Sequence, residues 1–255
     1  KKNHDCSPAT YFVKVLETTF PKLHGVAIPD ARQLYLSSYV QTYIERDVRE
    51  LLRIEKRREF EIFLKMCALR SAQVVNYDDL ARDAGISPAT AKNWLSLLED
   101  SFLIKLVPPY HANRTKRLIK SPKLYFLDMG LCAHLAGWRE SEALRLGPLG
   151  GAAFETHVFG EILRRLRHRL QDAEIHFWRT RDGQEIDFLV EIAGRCFPIE
   201  VKMGRPKPRD LVALARIADS NWEQGQVVSL NAETIPELLT DEWRIVSPAG
   251  LKLQK

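Results

Sequence analysis

Features that would assign this chain to a common class are missing from its sequence. It contains four cysteines, at positions 6, 67, 132 and 196, and none of them forms a C-x-x-C pair. This spacing favours reduced, buried thiols of a cytosolic protein over a disulfide framework or a zinc site. No apolar run reaches the ~18 residues of a membrane span, and the polar start has no signal-peptide pattern. We therefore expect a cytoplasmic protein without a membrane partner.

The chain also lacks the glycine-rich phosphate loop of many ATPases, because G-x-x-x-x-G-K-[ST] occurs nowhere in its 255 residues. Nucleotide hydrolysis by such a loop is therefore not encoded here. The sequence starts at Lys1 without a methionine, and we expect an excised or processed fragment that has lost an N-terminal partner module. A strong excess of charge of one sign is missing as well, since 38 Lys and Arg against 33 Asp and Glu give a net charge of only +5. This mild excess permits an anionic partner without requiring one.

The length and composition of the chain predict more than one domain. With 255 residues, 45% of them hydrophobic, it is long enough for about two. The sequence Gly-Pro-Leu-Gly-Gly at 147–151 is its most linker-like segment. We expect a mostly helical domain over residues 1–146, followed by an α/β domain over residues 152–255. The overall fold class is therefore α/β.

The first domain contains a pattern typical of a helix-turn-helix. A short helix is predicted over Asp78–Ala84 and ends at Gly85, and a second helix begins behind the N-cap candidate Ser87. Two helices joined by a turn of three or four residues have helix-turn-helix geometry. Strands predicted at Phe102–Val107 and Leu124–Leu127 complete a winged helix.

The segment between those strands is purely cationic, because no acidic residue occurs between Asp100 and Asp128. The basic residues of this wing are Lys105, Arg114, Lys116, Arg117, Lys120 and Lys123. A loop of this kind suits sequence-independent contacts with phosphates. On the second helix, Lys92, Asn93 and the hydroxyls of Thr90 and Ser96 are the outward groups able to reach base edges. The predicted partner is nucleic acid, DNA in particular, while a docking loop for an acidic protein and a purely structural winged helix stay open.

The second domain carries the pattern that points to chemistry, on two predicted strands. They span Glu185–Ile192 and Arg195–Lys202, and apolar and polar residues alternate along each. Ala193-Gly194 between them suits a tight two-residue hairpin. In the register that this turn sets, Asp187 faces Glu200 directly. A shift by one residue would mix the apolar and polar faces and is disfavoured.

Two directly opposed carboxylates repel each other, so the Asp187–Glu200 pair requires compensation. A shared proton, a cation or Lys202, which faces Glu185 in the same register, can supply it. A divalent metal, Mg²⁺ or Mn²⁺, is the most economical answer, because Mg²⁺ takes oxygen ligands from one or two carboxylates and from phosphates. Such an ion can activate water at a phosphodiester while a lysine orients that water. The alternative is a plain salt bridge of Lys202 with Glu200 or Glu185.

Glu155, Asp187 and the run Glu200-Val201-Lys202 together resemble the PD-(D/E)XK nuclease-like superfamily. Three blocks in order extend the resemblance: YVQTYIERDV at 39–48, KSPKLYFLDMG at 120–130, and the segment 178–202. They look like a region of prokaryotic proteins that lies C-terminal to an AAA+ ATPase module. This resemblance covers roughly residue 34 to the C-terminus.

The resemblance implies a winged-helix domain followed by a restriction-endonuclease-like α/β domain with a central mixed sheet. Both would be attached to an ATPase module, whose nucleotide-binding motif is absent from this chain. By the same resemblance, Asp187 and Glu200 are the metal ligands, Lys202 positions the attacking water, and Glu155 is an outer acid.

The function expected on this basis is the nucleic-acid-binding C-terminal part of an AAA+ ATPase-like protein, with a Mg²⁺-dependent phosphodiester-cleaving domain. A non-catalytic adaptor for nucleic acid or protein, built on a degenerate nuclease fold, is the alternative. A scaffold that forms homo-oligomers is the third hypothesis.

Overall fold

The structure of the chain is a computed structural model that describes residues 8–16, 20, 23, 29–42, 56–111, 121–180, 183–207, 214, 222–232 and 243–253. The chain divides into two compact units. We call them the helical unit, made of Phe12–Leu106 and Leu124–Thr156, and the sheet unit, made of Lys1–Tyr11, Val107–Lys123 and His157–Lys255.

Helices and strands both contribute to the described part of the chain, which confirms the α/β class. Its α-helices are α1 (Pro8–Leu16), α2 (Pro29–Tyr39), α3 (Arg57–Leu69), α4 (Tyr77–Ala84), α5 (Pro88–Asp100), α6 (Met129–Leu135), α7 (Ser141–Leu146) and α8 (Gly150–His168). Its strands are β1 (Gln73–Val74), β2 (Ile104–Val107), β3 (Lys123–Phe126), β4 (Glu174–Arg179), β5 (Glu185–Ile192), β6 (Arg195–Lys202), β7 (Gly225–Ser229) and β8 (Trp243–Val246). None of the described helices is long and apolar enough to cross a membrane.

Local sequence signals account for α4 and α5 in the helical unit. The Asn76 side chain caps α4 by accepting a hydrogen bond from the backbone N–H of Asp78. Gly85 ends α4 with φ of 69°, a left-handed conformation that glycine adopts without a side-chain clash. Ser87 caps α5 by accepting from the Thr90 N–H. The predicted pair of helices, separated by three residues, is confirmed.

An apolar core holds α3 and α5 together, and the strands that precede α4 and follow α5 in the chain form a small sheet. The Trp94 ring of α5 meets the rings of Phe60 and Phe63 of α3 edge-to-face, with centroids 5.3 Å apart in each case. The strands β1, β3 and β2 pair in that order. The two strands expected after α5 therefore form, as β2 and β3.

The sheet unit is built on a mixed five-stranded sheet with the order β4-β5-β6-β7-β8. The pairs β4–β5 and β5–β6 are antiparallel, and the pairs β6–β7 and β7–β8 are parallel. Phe159 of α8 stacks on Phe188 of β5 with ring centroids 5.7 Å apart. Ile186, Val227 and Trp243 form a further buried cluster of this unit. The expected mixed sheet is therefore confirmed.

The hairpin of β5 and β6 forms with the predicted strand bounds. Its turn residues, Ala193 and Gly194, have positive φ angles of 50° and 78°, which match the right-handed twist of the flanking strands. Phe188 pairs with Ile199 across the two strands. This is the register that the alternation of apolar residues predicts.

Three of the four cysteines lie in the described residues, and all three are buried free thiols, as expected. Burial raises the pKa of the Cys67 thiol and raises that of Cys132 to about 12. Cys196 is the third, and Cys6 lies outside the described residues. The thiols of Cys67 and Cys132 therefore stay protonated and unreactive near neutral pH.

The linker-like segment at 147–151 is shorter than its sequence indicates, because α8 already begins at Gly150. Along the chain, the division between the compact units falls within α8, after Thr156. Each unit also combines stretches that are distant in sequence. The division into residues 1–146 and 152–255 stays a prediction.

Candidate active site

Asp187 of β5 and Glu200 of β6 lie where the regular pairing of their strands ends. In the described strands, the β5–β6 ladder stops at the pair of Phe188 with Ile199. Beyond it, side chains replace backbone carbonyls as acceptors. Glu200 Oε2 accepts a hydrogen bond from the Asp187 N–H at 3.3 Å, and Asp187 Oδ2 accepts one from the Val201 N–H at 2.8 Å. The two predicted carboxylates are therefore brought together.

Both carboxylates are buried, with exposed fractions of 8% for Asp187 and 6% for Glu200. Burial raises the pKa of Glu200 to about 8, and the neighbouring charge of Asp187 adds to the rise. Burial also raises the pKa of Asp187, although the Lys123 ammonium acts in the opposite direction. Loss of hydration disfavours the charged form of an acid. Positive charge beside the pair therefore favours the ionised form of both groups.

Lys202 lies at the end of β6, beside Glu200. Its Nζ is 2.7 Å from Glu200 Oε1, and its side chain is half-exposed. Of the two salt bridges that the sequence left open, the structure shows the one with Glu200. Glu185 instead forms an ion pair with Lys123. The expected opposition of Lys202 and Glu185 is not part of the described ladder, since the strands separate before reaching them.

Lys123 joins Glu185, Asp187, Glu200 and Lys202 in one charged cluster, although its sequence position indicates another place. The sequence puts it in the cationic wing, but the structure makes it the first residue of β3, with only 3% of its surface exposed. Besides its ion pair with Glu185, its Nζ lies 3.5 Å from Asp187 Oδ1 and 5.6 Å from the centre of the Phe177 ring. The placement of Lys123 in a mobile cationic loop is therefore wrong.

A charge count along the hairpin was the signal that could have found this lysine. Glu185, Asp187 and Glu200 share one predicted surface, and the hairpin itself supplies only Lys202 to that surface. Buried acids require partners. A second cation from elsewhere in the chain was therefore to be expected, although nothing in the sequence indicates which one.

Glu155, the predicted outer acid, lies in the helical unit near the start of α8. Its Oε1 accepts a hydrogen bond from the Tyr125 hydroxyl at 2.5 Å. This bond gives the half-buried carboxylate a structural partner within its own unit. Its role as an outer acid stays a prediction.

The residues predicted to bind nucleic acid are described only in part. Lys92 and Asn93 are exposed on α5, whereas the next residue, Trp94, is buried. Lys105 is exposed at the start of the wing, with its Nζ 2.7 Å from Glu99 Oε1. The remaining predicted contacts lie outside the described residues: Arg114, Lys116, Arg117 and Lys120.

The donor atoms of the carboxylate pair fit a divalent ion such as Mg²⁺ or Mn²⁺. Each carboxylate uses one oxygen to accept a backbone N–H. The other oxygens, Asp187 Oδ1 and Glu200 Oε1, face the ammonium groups of Lys123 and Lys202. They are hard oxygen donors, which Mg²⁺ prefers, and they already have cations as partners. Asp187 and Glu200 are therefore the residues that would hold the ion.

A second group of possible ligands lies on β4 and β5. Glu174, His176 and Glu191 bring their ligand atoms within 4.8 Å of one another. Glu174 pairs directly with Glu191 across the strands, and His176 Nε2 is 3.2 Å from Glu174 Oε2. The contact between the imidazole and the carboxylate accounts for this arrangement without an ion.

Comparison with known proteins places the chain in a family. Residues 15–142, half of the chain, match the model of a domain of unknown function, DUF8612. The chain belongs to the DUF8612 family. Residues 150–248 match a second domain of unknown function, DUF4143. Asp187, Glu200 and Lys202 lie in the DUF4143 match, whereas Lys92 and Lys123 lie in the DUF8612 match.

Two curated mycobacterial proteins are similar to this DUF8612 chain. They are Uncharacterized protein Rv2008c of Mycobacterium tuberculosis and Uncharacterized protein Mb2031c of Mycobacterium bovis, each 33% identical over 165 residues. The similarity covers 64% of this chain and 36% of each relative, so the chain spans about a third of the length of these relatives. No solved structure matches the chain significantly.

Proposed function

We propose that this chain is the nucleic-acid-binding part of a larger, ATPase-like protein and that its sheet unit cleaves phosphodiesters with a divalent metal. The observation that carries the proposal is the pair of buried carboxylates, Asp187 and Glu200, at the point where their strands separate. Lys202 supplies an ammonium 2.7 Å from Glu200 Oε1. Two acids and a lysine in this arrangement support the resemblance to PD-(D/E)XK nucleases.

The chemistry divides between the ion and the side chains around it. A divalent ion, when bound, neutralises charge on a phosphate and lowers the pKa of water. Asp187 and Glu200 are held ready to bind it, because the backbone N–H groups of Val201 and Asp187 fix one oxygen of each. The half-exposed Lys202 lies on the solvent side of Glu200, where its ammonium can orient the attacking water. Burial keeps bulk water away from the carboxylates and strengthens their interactions.

We assign the contact with nucleic acid to the basic segment between β2 and β3, which belongs to the sheet unit, and to α5 of the helical unit. The elements α4, α5, β2 and β3 follow one another in the order of a winged helix, and the sheet order β1-β3-β2 is compatible with this interpretation. Lys92 and Asn93 are exposed on α5, in positions where they can reach base edges. The basic residues between β2 and β3 are the proposed phosphate contacts.

Nicking of supercoiled plasmid DNA by the full chain, with Mg²⁺ or Mn²⁺, tests the proposal. We expect metal-dependent nicking that falls at least about 100-fold in Asp187→Ala, which loses a ligand of the ion, and in Lys202→Ala, which loses the group that orients the water. Lys65→Ala is the matched control, since it removes an exposed lysine of α3 that lies outside the wing. Nicking that survives in both site variants, or that does not depend on metal, contradicts the proposal.

A non-catalytic adaptor is the second candidate function, and one observation favours it. The Lys123 ammonium already lies beside Asp187, so that the carboxylate has an internal counter-charge. An adaptor would bind DNA with an affinity that falls steeply with salt and drops when Arg114, Lys116 and Arg117 are changed to Gln. Asp187→Ala would leave that affinity unchanged. Binding that does not respond to salt contradicts this second function.

A further inference from the structure

We propose that Lys123 is a built-in counter-ion that competes with the divalent cation for Asp187, and so determines how tightly the site binds metal. The inference rests on the proposed function, because it concerns the same carboxylate pair. It adds a residue that the nuclease resemblance does not contain and that lies far from the hairpin in sequence.

The Lys123 ammonium lies beside the carboxylate oxygen that a metal ion would use. Asp187 Oδ2 is occupied by the Val201 N–H, which leaves Oδ1 as the second donor of this carboxylate. The Lys123 Nζ lies 3.5 Å from that oxygen. A cation that binds through Asp187 Oδ1 therefore meets a positive charge already in contact with the same atom.

Lys123 is also unable to move away easily. It is 3% exposed, it is the first residue of β3, and its ammonium is held by Glu185 and lies over the Phe177 ring. A buried ammonium loses its hydration and depends on its anionic partners, so leaving them is costly. Lys202, by contrast, is half-exposed, and a long side chain of this kind can turn its charged end into water.

Every carboxylate of the cluster has a cationic partner before a metal binds. Glu185 contacts Lys123 and also lies near Arg179, whose Nε is 3.7 Å from Glu185 Oε2. Asp187 has Lys123, and Glu200 has Lys202. A divalent ion therefore adds positive charge to a cluster that is already compensated. Since Lys202 and Arg179 can withdraw to solvent and Lys123 cannot, Lys123 is the resident charge that opposes the ion.

Calorimetric titration of Mn²⁺ into the full chain measures this competition directly. We expect Lys123→Met, which keeps the length of the side chain and removes its charge, to lower the Kd for Mn²⁺ by tenfold or more. Lys105→Met is the matched control, because it removes a lysine that pairs with a carboxylate at the surface, and it leaves the Kd unchanged. In the double variant Lys123→Met/Asp187→Asn, the gain in affinity disappears.

A second measurement uses thermal unfolding instead of heat of binding. Because Mn²⁺ replaces the missing charge in Lys123→Met, saturating Mn²⁺ should raise its Tm more than it raises that of the wild-type chain. If Lys123→Met does not fold, Lys123→Gln takes its place, since its amide can still donate to Glu185 without carrying a charge. Mn²⁺ must also raise the Tm of Lys123→Gln more than it raises that of the wild-type chain.

The outcomes separate this inference from the proposed function. A wild-type chain that binds Mn²⁺, with neutral variants that bind it equally or more weakly, overturns the competition and leaves the metal site standing. Failure of the wild-type chain and of both neutral variants to bind Mn²⁺ overturns the inference and the metal-dependent function together. Tighter binding by the variants supports the inference, even where the wild-type chain does not nick DNA.

Discussion

Charged residues serve different purposes in the two compact units. In the helical unit, the ion pair of Lys105 with Glu99 lies at the surface, while caps such as Ser87 define where helices begin. In the sheet unit, Lys123 and Asp187 are buried, and the carboxylate accepts a backbone N–H where the strand ladder ends. Surface pairs contribute little to stability, whereas a buried charge depends on each of its partners. The exposed pair of Lys105 and Glu99 is therefore of little consequence for the fold, whereas Asp187 and Lys123 depend on each other.

Glu200→Gln has the largest expected effect on stability and tests whether the buried acids of the sheet unit matter as argued. Burial raises the pKa of Glu200 from its ordinary value of 4.5 to about 8. The folded wild-type chain therefore keeps a proton that the unfolded chain loses, and its stability decreases as the pH rises from about 4.5 through about 8. Glutamine does not titrate, so the variant gains stability over the wild type across this interval. Each pKa unit is worth roughly 1.4 kcal/mol, which gives a gain of a few kcal/mol above pH 8.

Urea unfolding in the presence of EDTA at pH 5, 7 and 9 measures this gain. Glu99→Gln is the matched control, because Glu99 belongs to a surface ion pair in the helical unit. We expect it to change the free energy of unfolding by less than about 1 kcal/mol at each pH. If the free energies of unfolding of the wild type and of Glu200→Gln stay parallel from pH 5 to pH 9, the pKa of Glu200 is not raised in the folded chain.

Ser87→Ala has an intermediate expected effect and tests the helix caps of the helical unit. The Ser87 Oγ accepts the Thr90 N–H at 3.1 Å and satisfies one of the free N–H groups at the start of α5. Its loss costs about 1 kcal/mol of unfolding free energy, whereas Ser87→Asn retains an accepting oxygen and most of the stability. Equal losses in the two variants, measured by urea unfolding, would show that the cap does not stabilise α5.

Lys105→Met is expected to have the smallest effect on stability and tests the exposed ion pair of the helical unit. The Lys105 side chain is 51% exposed, although its Nζ lies 2.7 Å from Glu99 Oε1. An exposed pair of this kind contributes less than about 1 kcal/mol. We expect the urea midpoint to stay nearly unchanged. A loss well above that value would place this ion pair among the determinants of the fold.

The parts of the candidate site that follow from neighbouring residues could be predicted. The turn at Ala193-Gly194 and the alternation of apolar side chains define one register, and in that register Asp187 and Glu200 belong together. The Ser87 cap of α5 and the glycine stop of α4 were predictable for the same reason. Each of these signals acts over a few residues and does not depend on the rest of the fold.

Other parts of the site could not be predicted, because they depend on segments that are distant in sequence. The sequence shows Lys123 among five other basic residues, and nothing local distinguishes a lysine that pairs with buried acids from one that faces solvent. The hydrogen bond from Tyr125 to Glu155 joins residues thirty positions apart. The composition of the two units from separate stretches of chain is a further example.

The sequence by itself determined α4, α5, the hairpin strands β5 and β6, their register and the pairing of Asp187 with Glu200, since backbone propensities and side-chain alternation are local properties. Only the tertiary structure decided how those acids are compensated. The free energy of a buried charge depends on every group within a few ångströms, whatever its position in the chain. The burial of Asp187 and Glu200 and the arrival of Lys123 from β3 are therefore consequences of packing.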